Sequence, residues 1–281
     1  MRQVLSKIIL DLNRYFSKSI SKNNYFFFVK YFYPLFLLKI PDLSLNFSFI
    51  EKNNLLKVKS SFSKTNGFYY NIERSNRYIF GGFDGIGKKL YEKYLLQKIE
   101  FNHKDIVIDI GANVGELTNY LSRFNPLIYA LDIEDKALDC LKLNCSHNKK
   151  IKIQKLAIWK TSGILKFDSR INEASSSLLK PKNKNAYIKK IKALTLDRFF
   201  LENNIKKVRL LKIEAEGGEP EVLQGAKKKV FDRIDYITLD CGAERYGKTT
   251  FRQVIQILKK NNFKIVKTTN QCCLAANKKL F

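Results

Sequence analysis

From Asp105 onward, short apolar runs alternate with segments whose apolar residues recur at helical spacing, which predicts repeated β-α units. Ile106, Val107, Ile108 and Ile110 form a near-continuous apolar run, the pattern of a parallel strand covered on both faces. Leu117, Tyr120, Leu121 and Phe124 then share one helical stripe. Leu127 to Leu131 predicts a second strand, and Ala137, Leu138, Leu141 and Cys145 give the next helix an inward face. Ile151 to Ile158 reads as the third strand, Val208 to Ile213 as the fourth and Ile234 to Leu239 as the fifth. Between the third and fourth, Gly163 to Phe167 and Tyr187 to Leu194 stand out of a Lys-, Asn- and Ser-rich stretch, a pattern that predicts an inserted hairpin with a loop. Pro220 suits the first position of a helix, Phe251, Val254, Ile255 and Leu258 mark a last long one, and Phe263 to Val266 starts a closing β segment. The fold class expected is α/β, a doubly wound, mostly parallel sheet over residues 75–281, opening near Arg77 to Phe80.

Residues 1–74 read as a helical and aromatic extension. Val4, Leu5, Ile8, Ile9, Leu12, Phe16 and Ile20 lie at helical spacing with Arg2, Lys7, Arg14 and Lys18 elsewhere, which predicts a basic amphipathic helix. Tyr25 to Ile40 is strongly apolar, but Lys30 and Pro34 break it and it is too short to span a bilayer comfortably. Lys7 interrupts any signal-peptide core. Two readings stay open for residues 1–40: a layer packed on the main domain, or peripheral attachment to a membrane surface.

Composition narrows the picture further. A chain of 281 residues with 45% hydrophobic content can bury a core. Cys140, Cys145, Cys241, Cys272 and Cys273 contain no C-x-x-C pair, so they read as reduced small hydrophobes of a cytoplasmic protein. The net charge of +26 invites a nucleic-acid reading. Most of that charge is Lys spread along the whole chain beside Asn, Ile, Phe and Tyr, which argues for diffuse solvated charge and no specific nucleic-acid partner.

The candidate chemistry begins where the first strand ends, at D-I-V-I-D-I-G-A-N-V-G (Asp105 to Gly115). An apolar strand ending in Asp109 and turning through Gly111 and Gly115 into a helix is a nucleotide-cofactor loop, because such a turn needs unusual φ/ψ and close backbone approach. Asp132 follows the second strand at the spacing of a carboxylate that accepts hydrogen bonds from a ribose. A dinucleotide loop would carry G-x-G-x-x-G, whereas this one reads D-x-G-x-N-x-G. Two other patterns mislead: Gly82 to Lys89 mimics a phosphate loop but ends in Lys89 without the hydroxyl, and Asn125 to Tyr129 lies before the second strand. The bland reading of Gly82 to Lys89 is a Gly-rich turn ahead of a helix over Lys88 to Leu96.

The D-x-G-x-N-x-G loop resembles motif I of S-adenosylmethionine-dependent methyltransferases. Downstream, V-R-L-L-K-I-E-A-E-G-G-E-P-E-V-L-Q-G-A (Val208 to Ala226) makes the likeness specific. Together with Asp132, Leu156-Ala157-Ile158, Ser175-Ser176-Ser177-Leu178 and Thr195-Leu196-Asp197, in order from about Asp105 to Val266, it resembles the FkbM family of methyltransferases. The resemblance implies a Rossmann-like class I methyltransferase fold, S-adenosylmethionine as cofactor, and transfer of methyl to a hydroxyl of a sugar, glycan precursor or similar small metabolite. It also places Asp109, Gly111, Ala112, Asn113, Gly115, Asp132 and Ala157 about the cofactor. Glu214 stands where the family more often has Asp, and Asp132, followed by Ile133, where Glu-Pro is more usual.

Ligands of such sheets gather at the carboxyl ends of the strands. Glu214, Glu216, Glu219, Asp240 and Glu244 fall there, whereas His103 and His147 fall on the opposite rim. Glu214, Glu216 and Asp240 are therefore the candidate proton acceptors, each expected to gain proton affinity from burial beside a like charge, and Lys212 is a candidate for pairing or substrate orientation. The same acids could hold a divalent ion, but their spacing gives no clear ligand set, and no metal is expected. Acids beside Pro220 also favour a helix N-terminus on electrostatic grounds alone. A reading from another class remains: a binding protein for nucleic acid or a membrane surface that retains the methyltransferase fold.

Overall fold

The computed structural model describes residues 45–50, 55–60, 65–70, 78, 81–169, 176–179 and 187–281. The amphipathic and aromatic stretches of residues 1–40 lie outside the described residues. The chain forms two compact units, Met1–Lys89 and Leu90–Phe281.

In the first unit the described part of the extension is β-structure. Strands β1 (Leu45–Ile50), β2 (Leu55–Ser60) and β3 (Gly67–Tyr69) form an antiparallel sheet in that order. Its register pairs Ile50 with Leu55 and Leu56 with Tyr69. Tyr69 packs edge-on against Tyr78, which stacks on Phe83. Gly82 to Lys89 is not a turn: helix α1 runs Gly82–Lys93. Phe83, Ile86 and Gly87 are buried at i, i+3 and i+4, so one helical face outweighs the low helix propensity of the glycines.

The second unit is built on a seven-stranded sheet. In chain order its strands are β4 (Ile106–Ile110), β5 (Leu127–Asp132), β6 (Ile151–Lys155), β10 (Val208–Ile213), β11 (Ile234–Asp240), β12 (Phe263–Thr268) and β13 (Cys272–Asn277). The spatial order is β12-β13-β11-β10-β4-β5-β6. The pairs β11-β10, β10-β4, β4-β5 and β5-β6 are parallel, and β13 enters antiparallel between β11 and β12. The order reverses between β4 and β10, which makes their carboxyl ends a topological switch point.

Helices α2 (Glu116–Leu121), α3 (Asp135–Cys145), α4 (Leu196–Glu202), α5 (Glu219–Gln224), α6 (Lys228–Phe231) and α7 (Phe251–Lys260) connect the strands. Val107 and Ile108 are both fully buried although they point to opposite faces, as the continuous apolar run required.

Two elements differ from the sequence expectation. The run Ile151 to Ile158 splits, because the Leu156 N–H turns to Asp132 O and β7 (Ala157–Ile158) leaves for a second sheet. There β7 pairs in parallel with β9 (Ile188–Leu194), which pairs antiparallel with β8 (Gly163–Asp168), the expected inserted hairpin. The closing β segment is two strands, and β13 escaped notice because Cys-Cys-Leu-Ala-Ala-Asn is small and buried throughout, without alternation. All five cysteines are free and buried. Among the described residues no helix is long and apolar enough to cross a membrane.

Candidate active site

The glycine loop leaves β4 at the switch point and is held by the protein's own backbone. Gly111 and Ala112 both donate N–H bonds to Leu131 O at 2.9 Å, and Gly115 donates to Ala112 O at 3.0 Å. Asn144 Nδ2 fastens the loop from α3 through Val114 O at 2.7 Å. These N–H groups are thus spent internally. A loop with no phosphate to cradle does not need them.

Gly111 (φ +75°) and Gly115 (φ +91°) adopt the left-handed conformation that favours glycine. What crowds them is protein. A Cβ on Gly111 would stand 2.2 Å from the Glu214 carbonyl oxygen, and one on Gly115 would stand 2.5 Å from Leu141 Cδ1. Asn113 takes φ +51°, and its Oδ1 is buried with no partner among the described residues.

Asp132, at the end of β5, faces this loop. Its Oδ2 accepts from Asn113 N at 2.8 Å, and its Oδ1 accepts from Ile133 N at 2.8 Å and Glu134 N at 3.0 Å. Three of the roughly four acceptor positions of a carboxylate are used, leaving one on Oδ2. Burial raises its pKa and the three backbone donors oppose that rise. Ala157 lies in β7, paired with Ala193 and buried.

Asp109 is differently placed. It is wholly buried and gives its carboxylate to Thr118 Oγ1 at 2.7 Å and Lys212 Nζ at 2.9 Å. Lys212, also buried, donates to Gly111 O at 2.9 Å and Ile110 O at 3.2 Å and pairs with Glu214 at 3.2 Å. One ammonium thereby ties the floor of the loop to β10. Burial works against its charge, but Asp109 and Glu214 win and its pKa rises.

The acids of the strand ends converge as the topological rule required. Lys93, a residue the sequence reading passed over, contacts Asp240 at 2.6 Å and Glu214 at 3.6 Å. Its ammonium and that of Lys212 lie over the Tyr94 ring at 5.1 and 5.3 Å from the centroid. Lys93 and Tyr94 close helix α1 and follow it directly, where only an apolar stripe was legible. Asp240 Oδ1 also accepts from Gly242 N at 2.9 Å.

Glu214 does not gain proton affinity as expected for an acid among acids. Burial would raise its pKa, but the charges of Lys212 and Lys93 outweigh it and hold it at about 2. It is an ionised acceptor at neutral pH and a weak base. Glu216 sits half-buried at φ +49°. Glu244, exposed at the rim, has its pKa raised by crowding and then by the charges of Glu216, Asp240, Glu219 and Glu214.

Glu219 and Glu221 are structural. Glu219 Oε1 folds back onto Ala215 N at 3.0 Å and Gly217 N at 3.1 Å, and its Oε2 accepts from Thr250 Oγ1 at 3.2 Å. Glu221 takes a bidentate contact from Arg245 at 2.6 and 2.9 Å. His103 and His147 are exposed and precede β4 and β6, at the far rim.

Burial lifts the Glu219 pKa to about 7 from its ordinary 4.5. Between those values the folded chain holds the proton that the unfolded chain has released, so this residue's contribution to stability falls as pH rises. Complete ionisation costs about 3 kcal/mol. Glu219→Gln keeps the acceptor for both backbone donors and removes the titration. Urea denaturation at pH 5 and pH 8 is expected to show the variant gaining on the parent at the higher pH; parallel profiles would refute the assignment.

Residues 109–265 match the methyltransferase FkbM domain. The chain belongs to the FkbM methyltransferase family. A comparison with curated protein sequences gives no match. Among solved structures, this FkbM-family chain is similar to a methyltransferase FkbM from Methylobacillus flagellatus (13% identity, TM-score 0.45) over 63% of this chain and 44% of that one. It is also similar to the magnesium protoporphyrin IX methyltransferase of Synechocystis with bound SAM (12% identity, TM-score 0.41, 72% and 83% covered). A third is the Methanococcus jannaschii fibrillarin pre-rRNA processing protein (12% identity, TM-score 0.43, 84% and 98% covered). The chain thus spans under half the length of the Methylobacillus protein. The fold is mixed α/β on a mainly parallel seven-stranded sheet.

Proposed function

We propose that this FkbM-family chain is an S-adenosylmethionine-dependent O-methyltransferase acting on a hydroxyl of a sugar, glycan precursor or similar small metabolite. The observation that carries the cofactor reading is the facing pair at the switch point: the Asp132 carboxylate bonded to Asn113 N, with one acceptor position left, beside the unpartnered Asn113 Oδ1. Both are acceptors, which suits the hydroxyl and amine donors of an adenosyl group and does not suit a phosphate. Gly111, Ala112, Gly115 and Ala157 give that site its backbone walls, and Asp109 holds it from beneath through Lys212.

When bound, S-adenosylmethionine supplies a methyl on a positively charged sulfur, which an acceptor oxygen displaces. The chain's own part is placement, and alignment of reacting groups can supply a large share of such a rate. Glu214, ionised and 26% exposed, offers an acceptor to a substrate hydroxyl, and Lys93 beside it offers a donor. Asp240 fixes Lys93, Lys212 fixes Glu214, and Glu216 stands at the rim.

Incubation with isotopically labelled methyl donor and candidate neutral glycans or nucleotide sugars, followed by mass analysis, is expected to place label on an oxygen. Label on nitrogen or carbon, or none with any hydroxyl acceptor, would refute the proposal.

A further inference from the structure

Just past Asp132 lies a second buried carboxylate. Glu134 is 4% exposed, and its side chain gathers donors from the inserted segment: Ser169 Oγ at 2.5 Å and Ser176 Oγ at 2.6 Å on Oε1, and Lys189 Nζ at 2.8 Å on Oε2. Ser169 follows β8 and Lys189 lies in β9. The backbone of the same Glu134 donates to Asp132 Oδ1 at 3.0 Å. Ser177, which bridges Asp168 through both backbone groups, donates its hydroxyl to Glu216 O at 3.2 Å. The insertion is therefore fastened at two points, one beside the carboxylate assigned to the ribose and one on the loop that carries the acids.

We propose that Glu134 is a positioning residue that couples the grip of Asp132 on the cofactor to the placement of the inserted hairpin. The proposal rests on the reading of S-adenosylmethionine as cofactor. Its physical content is a shared residue. Whatever fixes the Glu134 side chain also fixes the N–H that orients Asp132, and by linkage a ligand held by Asp132 must steady the hairpin in return. Charge-assisted hydrogen bonds to a buried carboxylate are strong enough for such a tie. Nothing in a fold-stabilising role alone requires that reciprocity.

The test uses the full chain with Ser176→Ala and Lys189→Met, two changes at the edge of the cluster that leave Asp132 and the glycine loop intact. Isothermal titration is expected to show each variant binding S-adenosylmethionine about tenfold more weakly than the parent. Hydrogen exchange read by mass spectrometry is expected to show the cofactor slowing exchange in residues 163–169 and 187–194 of the parent, with that protection lost in Lys189→Met. If the parent binds and both variants bind equally well, with unchanged protection, the coupling is refuted and the cofactor reading stands. If the parent itself binds no S-adenosylmethionine, both fall together.

Discussion

Replacing Lys212 with methionine is expected to destabilise the chain by about 3–5 kcal/mol, because it strands a buried charge. Asp109 has no exposure, and among the described residues its side-chain partners are Thr118 and Lys212, of which Lys212 carries the opposite charge. Methionine has similar length and apolar character, so the packing against Tyr94 largely survives and the loss is electrostatic. The double change Asp109→Asn with Lys212→Met removes both charges and is expected to recover much of the loss, since neutralising a buried pair costs far less than breaking it. Urea denaturation of the parent and the two variants measures this directly. A loss below about 1 kcal/mol in the single variant would mean that the Asp109 carboxylate does not depend on Lys212, and the view of Lys212 as the tie between β4 and β10 would fail.

The second large effect is expected at Gly111. An alanine there must take φ +75°, and its Cβ would press on the Glu214 backbone carbonyl. The left-handed conformation costs about 1–2 kcal/mol and overpacking adds about 1–3 kcal/mol, so a loss near 3 kcal/mol is expected. Relief of the collision has to move either the glycine loop or the start of the Glu214 loop. Either movement disturbs both the Asn113 to Asp132 bond and the Glu214 to Lys212 pair, so cofactor binding is expected to fall even where the variant is fully folded. Denaturation read together with titration of the folded variant separates the two effects. Parent-like stability with parent-like binding would contradict the close approach of these loops.

Much of the parallel sheet was legible because each strand declares itself locally. Ile106 to Ile110 and Val208 to Ile213 are apolar on both faces, and the helix of Phe251 to Lys260 repeats its apolar residues at helical spacing. The glycines were legible as a requirement, yet the cause was not: the atoms that exclude a side chain belong to Glu214 and Leu141, far along the chain or on the next helix. The same distance hid Lys93, whose role depends on Asp240 and Glu214, and hid Glu134, whose partners come from the insertion. Glu214 was read as an acid among acids and behaves as an acid between two lysines. Its neighbours across the sheet, and not its own segment, set its proton affinity. Strand β13 failed for another reason: cysteine and alanine carry no periodic signal when both faces are covered.

The account's central claim is that the Asp132 and Asn113 pair at the carboxyl end of β4 and β5 holds an adenosyl cofactor. Isothermal titration of the full chain with S-adenosylmethionine, parallel to Asp132→Ala, tests it most directly. The account predicts saturable binding at one site by the parent and at least tenfold weaker binding by the variant, since a hydrogen bond to a charged group is worth about 1.5–3 kcal/mol. No binding by the parent, or equal affinity in the two, would contradict it.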